Sequence, residues 1–300
     1  MSVIQVEHLE KKYGRFRGIE DLVFEVRPGE VYGFLGPNGS GKTTTIRTLL
    51  GMLKPTAGRA SILGLDIQRD SVRIRQKVGY LPGELNLYPE MTALEVLRYF
   101  ADLRGMKLGK EVHDTIEKLK LDPRKRIRDL SKGNKQKIGI IQAFMHHPEV
   151  LILDEPTSGL DPLMQYEFDQ LILEAKKQGK SVLLSSHVLG EVDKTADRVG
   201  ILKEGRLIVQ STMQELKCHA TQQIEVEFVT APSQEALVNI PGITDTQVQG
   251  NRAIFTVSGK MDSFIKTLSR FEILSLRSLS ADLESLFMDY YREDSHAQRV

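Results

Sequence analysis

Three hundred residues with 41 basic and 40 acidic side chains carry a formal net charge of +1, without the basic excess expected of a nucleic-acid binder. The length suits about two domains, the hydrophobic fraction of 40% is ordinary for a globular protein, and no run approaches the roughly 18 apolar residues of a membrane span. A single cysteine, Cys218, excludes an internal disulfide, and the opening MSVIQVEHLEKKYG lacks a signal peptide's basic-then-apolar layout, so the chain reads as soluble and cytosolic.

Residues 3–8 and 20–26 alternate polar and apolar as strands do, with a turn around Gly14 and Gly18 between them. Tyr13 falls just before that turn, at a sheet edge. Val31–Leu35 is an apolar run short enough to be a buried strand. It breaks into Gly36-Pro37-Asn38-Gly39-Ser40-Gly41-Lys42-Thr43, and a helical pattern starts at Thr44. Two glycines five apart followed by Lys and Thr, between a strand and a helix, are the P-loop spacing. Gly39 and Gly41 let the backbone come close and take positive φ. The loop amides and the helix N-terminus then face an anion. Lys42 suits the β- and γ-phosphates of a nucleoside triphosphate, and the Thr43 hydroxyl suits Mg²⁺.

A loop over 54–58 leads to a short strand at 60–63, a polar helix at 70–77 and a strand from Val78 that Pro82 stops. From Met91 to Leu121 the periodicity is helical, with Leu94, Leu97, Phe100, Ala101 and Arg104 on one face. A second helix is expected over 135–146. Val150–Glu155 is an unbroken apolar run ending in acid, the pattern of a parallel strand covered on both faces. Helix 163–177, strand 181–185, helix 188–196 and strand 198–203 follow. This alternation predicts an α/β layer fold, with ligands beyond the carboxyl ends of the strands, where Gly36, Asp154 and Ser185 fall. The pattern changes near 216–222, which places one domain at 1–216, with a helical subdomain at about 84–147, and a second at 217–300. In the second we read strand 223–229, helix 233–239, strands 243–248 and 252–257, helix 261–270, strand 272–279 and helix 282–292. That order is the ferredoxin-like split βαβ, a small α+β domain.

Asp154 and Glu155 end the buried strand as neighbours. Successive strand residues point opposite ways, so the two carboxylates can take different tasks, Asp154 in a Mg²⁺ shell and Glu155 on an attacking water. A lone histidine is more often structural. His187, directly after the strand at 181–185, stands on the same sheet edge as the phosphate loop, unlike His146, His147 and His219.

Together these residues resemble the nucleotide-binding subunit of an ATP-binding cassette (ABC) transporter over about residues 1–215. The chain carries GPNGSGKTT (Gly36 to Thr44) as Walker A, VLILDE (Val150 to Glu155) as Walker B, SGLD (Ser158 to Asp161) as D-loop, and His187 as switch histidine. Tyr13 matches the aromatic that stacks on adenine. The resemblance implies a P-loop ABC ATPase fold with a mixed sheet, and ATP and Mg²⁺ as cofactors. It assigns catalysis to Lys42, Glu155 and His187, metal ligation to Thr43 and Asp154, and nucleotide contacts to Tyr13, the loop Gly36, Pro37, Asn38, Gly39, Ser40, Gly41, Lys42, Thr43 and Thr44, and Ser131, Gly133 and Asp161. Two motifs depart from the family. LSGGQ appears as Leu130-Ser131-Lys132-Gly133-Asn134, and the usual glutamine after the strand at 78–82 is Gly83, followed by Glu84. The tail, with Asp282-Leu283-Glu284-Ser285-Leu286-Phe287-Met288, looks like that of bacterial drug- and antibiotic-exporter ATPases. Their implied partners are a separate membrane permease and a second copy or homologous ATPase, at the inner face of the cell membrane, with no nucleic acid and no membrane span in the chain itself. The rival reading is a soluble ABC ATPase acting on nucleic acid or a protein assembly. Such chains usually carry two cassettes or a long coiled coil, and neither is present. A third is a nucleotide-dependent scaffold with little turnover.

Overall fold

The computed structural model describes residues 2–14, 16–219, 222–231, 243–257 and 261–279, and the chain divides into two units, 1–210 and 211–300. The first opens with a hairpin, β1 (Ile4–Tyr13) and β2 (Phe16–Val26), then β3 (Val31–Leu35) and α1 (Lys42–Leu49). Next come β4 (Ala57–Ile62), β5 (Leu65–Asp66), α2 (Ser71–Lys77), β6 (Val78–Leu81), α3 (Ala93–Leu103), α4 (Lys110–Lys118) and α5 (Lys132–Phe144). It finishes with β7 (Val150–Asp154), α6 (Pro162–Lys177), β8 (Ser181–Ser186), α7 (Leu189–Val192), β9 (Arg198–Lys203) and β10 (Arg206–Thr212).

Every residue of β3, β7 and β8 is buried, as the absence of alternation in these runs requires. They form the middle of a six-stranded sheet of order β10-β9-β3-β8-β7-β6, in which β9, β3, β8, β7 and β6 run parallel. The alternating strands go elsewhere, into a four-stranded antiparallel sheet of order β2-β1-β4-β5. Phe24 of β2 joins the two sheets, its ring 5.6 Å from Tyr32 and 5.3 Å from Phe34 of β3. Burying one such side chain is worth about 1.5–3 kcal/mol relative to exposure.

The second unit contains α8 (Met213–His219), β11 (Gln222–Phe228), β12 (Ile243–Gln249), β13 (Arg252–Val257), α9 (Met261–Leu268) and β14 (Ile273–Leu279). Its antiparallel sheet has the order β12-β13-β11-β14, so the first strand lies inside between the third and fourth, the split arrangement expected of this element order. Ile224, Val226, Phe228, Phe255, Phe264 and Leu268 form its core. The expected helices at 233–239 and 282–292 lie outside the described residues.

Several expectations are corrected. The hairpin strands are longer than 3–8 and 20–26 because the chain turns only at Gly14; Gly18 is inside β2, where a Cβ would stand 2.8 Å from both the Lys11 carbonyl and the Tyr13 ring. The single helical stretch at 91–121 is two helices, since Gly105 at φ 66 ends the first in the left-handed region that glycine tolerates. The helix expected from 135 starts at Lys132, because the Ser131 hydroxyl accepts from Asn134 N–H and caps it. The helix expected at 188–196 is α-helical only over α7 and continues as turns that close Ala196 N–H on the Val192 carbonyl at 2.9 Å. β5, β10 and α8 have no counterpart in the sequence reading.

β6 and α5 approach so closely that a Cβ on Gly79 would lie 2.1 Å from the Ala143 carbonyl. His146, just after α5, has its Nε2 3.2 Å from the Val78 carbonyl. Burial, reinforced by Arg104, pushes its pKa down from 6.5 to about 4. Between those values the unfolded chain binds a proton that the folded chain refuses, so His146 withdraws stability as pH falls through that window. The melting-temperature gap between wild type and His146→Gln is therefore expected to move in the variant's favour from pH 7 to pH 5. A gap that stays constant would show that the imidazole is protonated alike in both states.

Candidate nucleotide site at the carboxyl ends of the parallel strands

The register of the sheet builds the site. Leu35 pairs with Ser186 and Asp154 with Ser185, so Gly36, Glu155 and His187 leave the sheet side by side. After β3 the loop turns through Gly39 at φ 82 and Gly41 at φ 108 into α1. Gly36 is tightly enclosed, since a Cβ there would meet the Leu202 carbonyl at 2.6 Å. The cleft above the loop is lined by Tyr13, Gly18, Pro37 to Thr44 and Glu155. Tyr13 is 43% exposed, with the Lys11 ammonium 5.3 Å from its ring centroid.

Two chains of contacts bind this loop to the strand ends. In the first, the Thr43 hydroxyl donates to Asp154 Oδ2 at 2.7 Å, and the Ser185 hydroxyl donates to Asp154 Oδ1 at 2.6 Å. In the second, the buried Lys42 ammonium faces Glu155 Oε1 at 3.1 Å, and Glu155 Oε2 lies 2.7 Å from His187 Nδ1. Lys42 also donates to the carbonyls of Gly36 and Pro37. Glu155 Oε1 is buried and accepts no well-directed hydrogen bond, so its approach to Lys42 is an ion pair. Glu155 itself sits at φ 49, a left-handed conformation rare outside glycine. That turn breaks the strand's alternation and lets both adjacent carboxylates reach the loop. Its N–H donates to the Ser185 carbonyl and hydroxyl.

Two features suit an anion and a metal ion. Ser40 Oγ is buried inside the loop without a hydrogen-bond partner, and a buried hydroxyl normally has one. Thr43 and Asp154 offer two hard oxygen ligands at one point. Among the described residues no group of three His, Cys, Asp or Glu side chains could hold a metal, so phosphate and water oxygens would have to complete the shell. That is the donor set Mg²⁺ takes at phosphate sites.

The structure thus gathers Tyr13, the whole loop, Asp154, Glu155 and His187. Ser131, Gly133 and Asp161 do not line this cleft. Asp161 caps α6, accepting from Met164 N–H at 3.0 Å. The Ser131 turn packs on the segment after Glu155: a Cβ on Gly133 would stand 2.3 Å from the Gly159 carbonyl, and Gln136 donates to the carbonyls of Glu155 and Pro156. A Cβ on Gly83 would be 3.4 Å from Asp154 Oδ2, so the residue in the family's glutamine position lies against Asp154 without a side chain. Glu84 is exposed and makes no hydrogen bond or ion pair with the site. Sequence reasoning assigned no role to Ser185 or Gln136. Two serines closing a buried strand hinted at the first; the second had no sequence signal, because its partners are backbone carbonyls about twenty residues away.

The family model described as "ABC transporter" matches residues 19–158. The bacitracin transport ATP-binding protein BcrA of Bacillus licheniformis is 37% identical over 230 residues, 76% of this chain and 75% of its own. The linearmycin resistance ATP-binding protein LnrL of Bacillus subtilis is 29% identical over 303 residues, 96% of this chain and 97% of its own. A solved ATP-binding subunit of an ABC transporter superposes with a TM-score of 0.67 at 32% identity, covering 72% of this chain and 92% of the other. With its phosphate loop, acidic strand end and histidine in one row, the chain belongs to the ABC transporter family as one of its ATP-binding, ATP-hydrolysing subunits.

Proposed function

We propose that this subunit uses Mg²⁺-ATP to drive export through a separate membrane permease. The observation that carries the reading is the convergence of Lys42, Thr43, Asp154, Glu155 and His187 at one sheet edge. Likeness to proteins named for bacitracin transport and linearmycin resistance supports the export direction.

In this mechanism Tyr13 stacks on adenine, and loop amides between Asn38 and Thr44 cradle the phosphates at the N-terminus of α1. Lys42 exchanges Glu155 for the γ-phosphate. Held by Thr43, Asp154 and phosphate oxygens, Mg²⁺ would neutralise charge on the breaking bond. Glu155 takes a proton from water as its oxygen attacks the γ-phosphorus, the bond to the β–γ bridging oxygen breaks, and ADP and phosphate leave. His187 holds Glu155 and contacts the γ-phosphate. Two subunits would pack head to tail, each ATP lying between one P-loop and the Ser131, Gly133 and Asp161 region of the other. ATP favours that closed state because it contacts both halves only there.

The permease would dock in a groove of about 280 Å³ beside the Gly83 loop, lined by residues including Tyr80, Pro82, Leu85, Phe100 and Gly139. Exposed Tyr88 and Tyr99 stand near it in edge-to-face contact. No helix among the described residues is long and apolar enough to cross a membrane, so attachment to the inner face of the membrane would come from this partner.

Glu155→Gln is expected to keep ATP binding and lose about 10²–10⁴-fold in turnover, read by phosphate release. Turnover near wild type would refute the base assignment. Tyr13→Ala is expected to weaken ATP about tenfold, within the range of base–aromatic stacking, while leaving tripolyphosphate affinity unchanged. Equal loss for both ligands would place Tyr13 in the loop's architecture instead.

A further inference from the structure

α6 ends in a motif whose last position is filled against its usual chemistry. Gly179, at φ 78, leaves the helix through the left-handed region. Its N–H donates to the Lys176 carbonyl at 2.8 Å, and the Lys180 N–H donates to the Ala175 carbonyl at 3.1 Å. That pair of bonds is the Schellman closure, in which the residue after the glycine is commonly apolar and packs back on the helix. Here that residue is Lys180. Departures from a local rule gather at functional positions.

Lys180 borders a cavity of about 450 Å³ between α4, the end of α5 and α6. It immediately precedes β8, so the cavity stands at the amino ends of the parallel strands, away from the nucleotide cleft. Its volume falls within the range of small-molecule sites, about 300–1,000 Å³. The floor is apolar: Val112, Ile141, Phe144, Met145, Leu171 and Ala175 line it, and all but Phe144 are buried. The rim is charged, but two of its acids are already paired. Glu174 of α6 lies 2.8 Å from the Lys118 ammonium of α4, and Glu111 of α4 lies 2.7 Å from His147 Nε2. Asp114, the remaining acid of the lining, is exposed to water. Lys180 is half-buried, and among the described residues its ammonium makes no hydrogen bond and reaches no carboxylate within ion-pair distance. Burial lowers its pKa from the ordinary lysine value, and the charge of Glu111 only partly opposes this. A half-buried cation without a counter-ion, beside an apolar floor, is complementary to an apolar body that carries one negative charge.

We propose that this cavity binds a small apolar carboxylic acid, its hydrocarbon part on the floor between α5 and α6 and its carboxylate on the Lys180 ammonium. The charged contact orients the ligand, and burial of the hydrocarbon supplies most of the affinity. A neutral ligand of the same shape keeps the second contribution and loses the first.

Calorimetric titration of the full chain with naphthoate, an apolar ring system bearing one carboxylate, tests this site. A dissociation constant of about 0.1 mM is expected. Lys180→Met, which keeps an apolar stem, should weaken binding about tenfold, the worth of one hydrogen bond to a charged group. Lys180→Arg should restore it. The neutral naphthamide should bind the wild type about tenfold more weakly than naphthoate does, and equally well to Lys180→Met. Saturating ADP should change none of these affinities, and unaltered ADP binding by both variants would show that they are folded. The assignment is overturned if naphthoate does not bind at millimolar concentration, or if it binds Lys180→Met as tightly as wild type. Displacement of naphthoate by ADP would also overturn it, by putting the acid in the nucleotide cleft.

Discussion

A buried ammonium must be neutralised, and much of the architecture here follows from that requirement. Lys42 is 5% exposed and meets its need with two loop carbonyls and the carboxylate of Glu155. The carbonyls come from its own loop; the carboxylate must come from a strand more than a hundred residues away. The arrangement requires β7 to end level with β3, and the register through β8 makes it do so. Ser185 on that intervening strand accepts no passive place: it donates to Asp154 and receives the N–H of Glu155.

The same ion pair also holds the proposed base. Glu155 is engaged by Lys42 on one oxygen and by His187 on the other, so in the proposed mechanism a nucleotide that recruits Lys42 would also release the base. Buried pairs of this kind add little net stability compared with apolar packing; in the proposed mechanism this one is exchanged for phosphate. The left-handed backbone at Glu155 belongs to the same economy, since backbone strain gathers where a side chain must be aimed.

A second coupling runs behind the site. α5 is capped by Ser131, stitched to the segment after Glu155 by Gln136, and packed closely on β6 through Gly79 and on the Gly83 loop, where a Cβ on Gly139 would stand 2.7 Å from Leu85. The helix that begins in the substituted signature therefore touches both the catalytic strand end and the groove proposed for the permease. Ile138, Gly139 and Gln142 of α5 line that groove themselves, and Leu81 and Leu85 pack on Gly139, so the helix links the groove to the signature turn directly.

What the chain order alone determined was local: the phosphate loop, the buried strand ending in two acids, the histidine after β8 and the alternation of helices and strands. Each is written in residues adjacent to one another, and short apolar runs bounded by turn residues suit strands covered on both faces. The tertiary structure decided which strand ends meet. Strand order and register brought Thr43 to Asp154 and Lys42 to Glu155, turned Glu155 out of its strand, and recruited Ser185 and Gln136. It also decided that Asp161 caps a helix and that Lys132 rests on Ser158. Those outcomes depend on backbone groups and side chains brought together from distant parts of the chain, and such partners leave no periodicity or spacing to read.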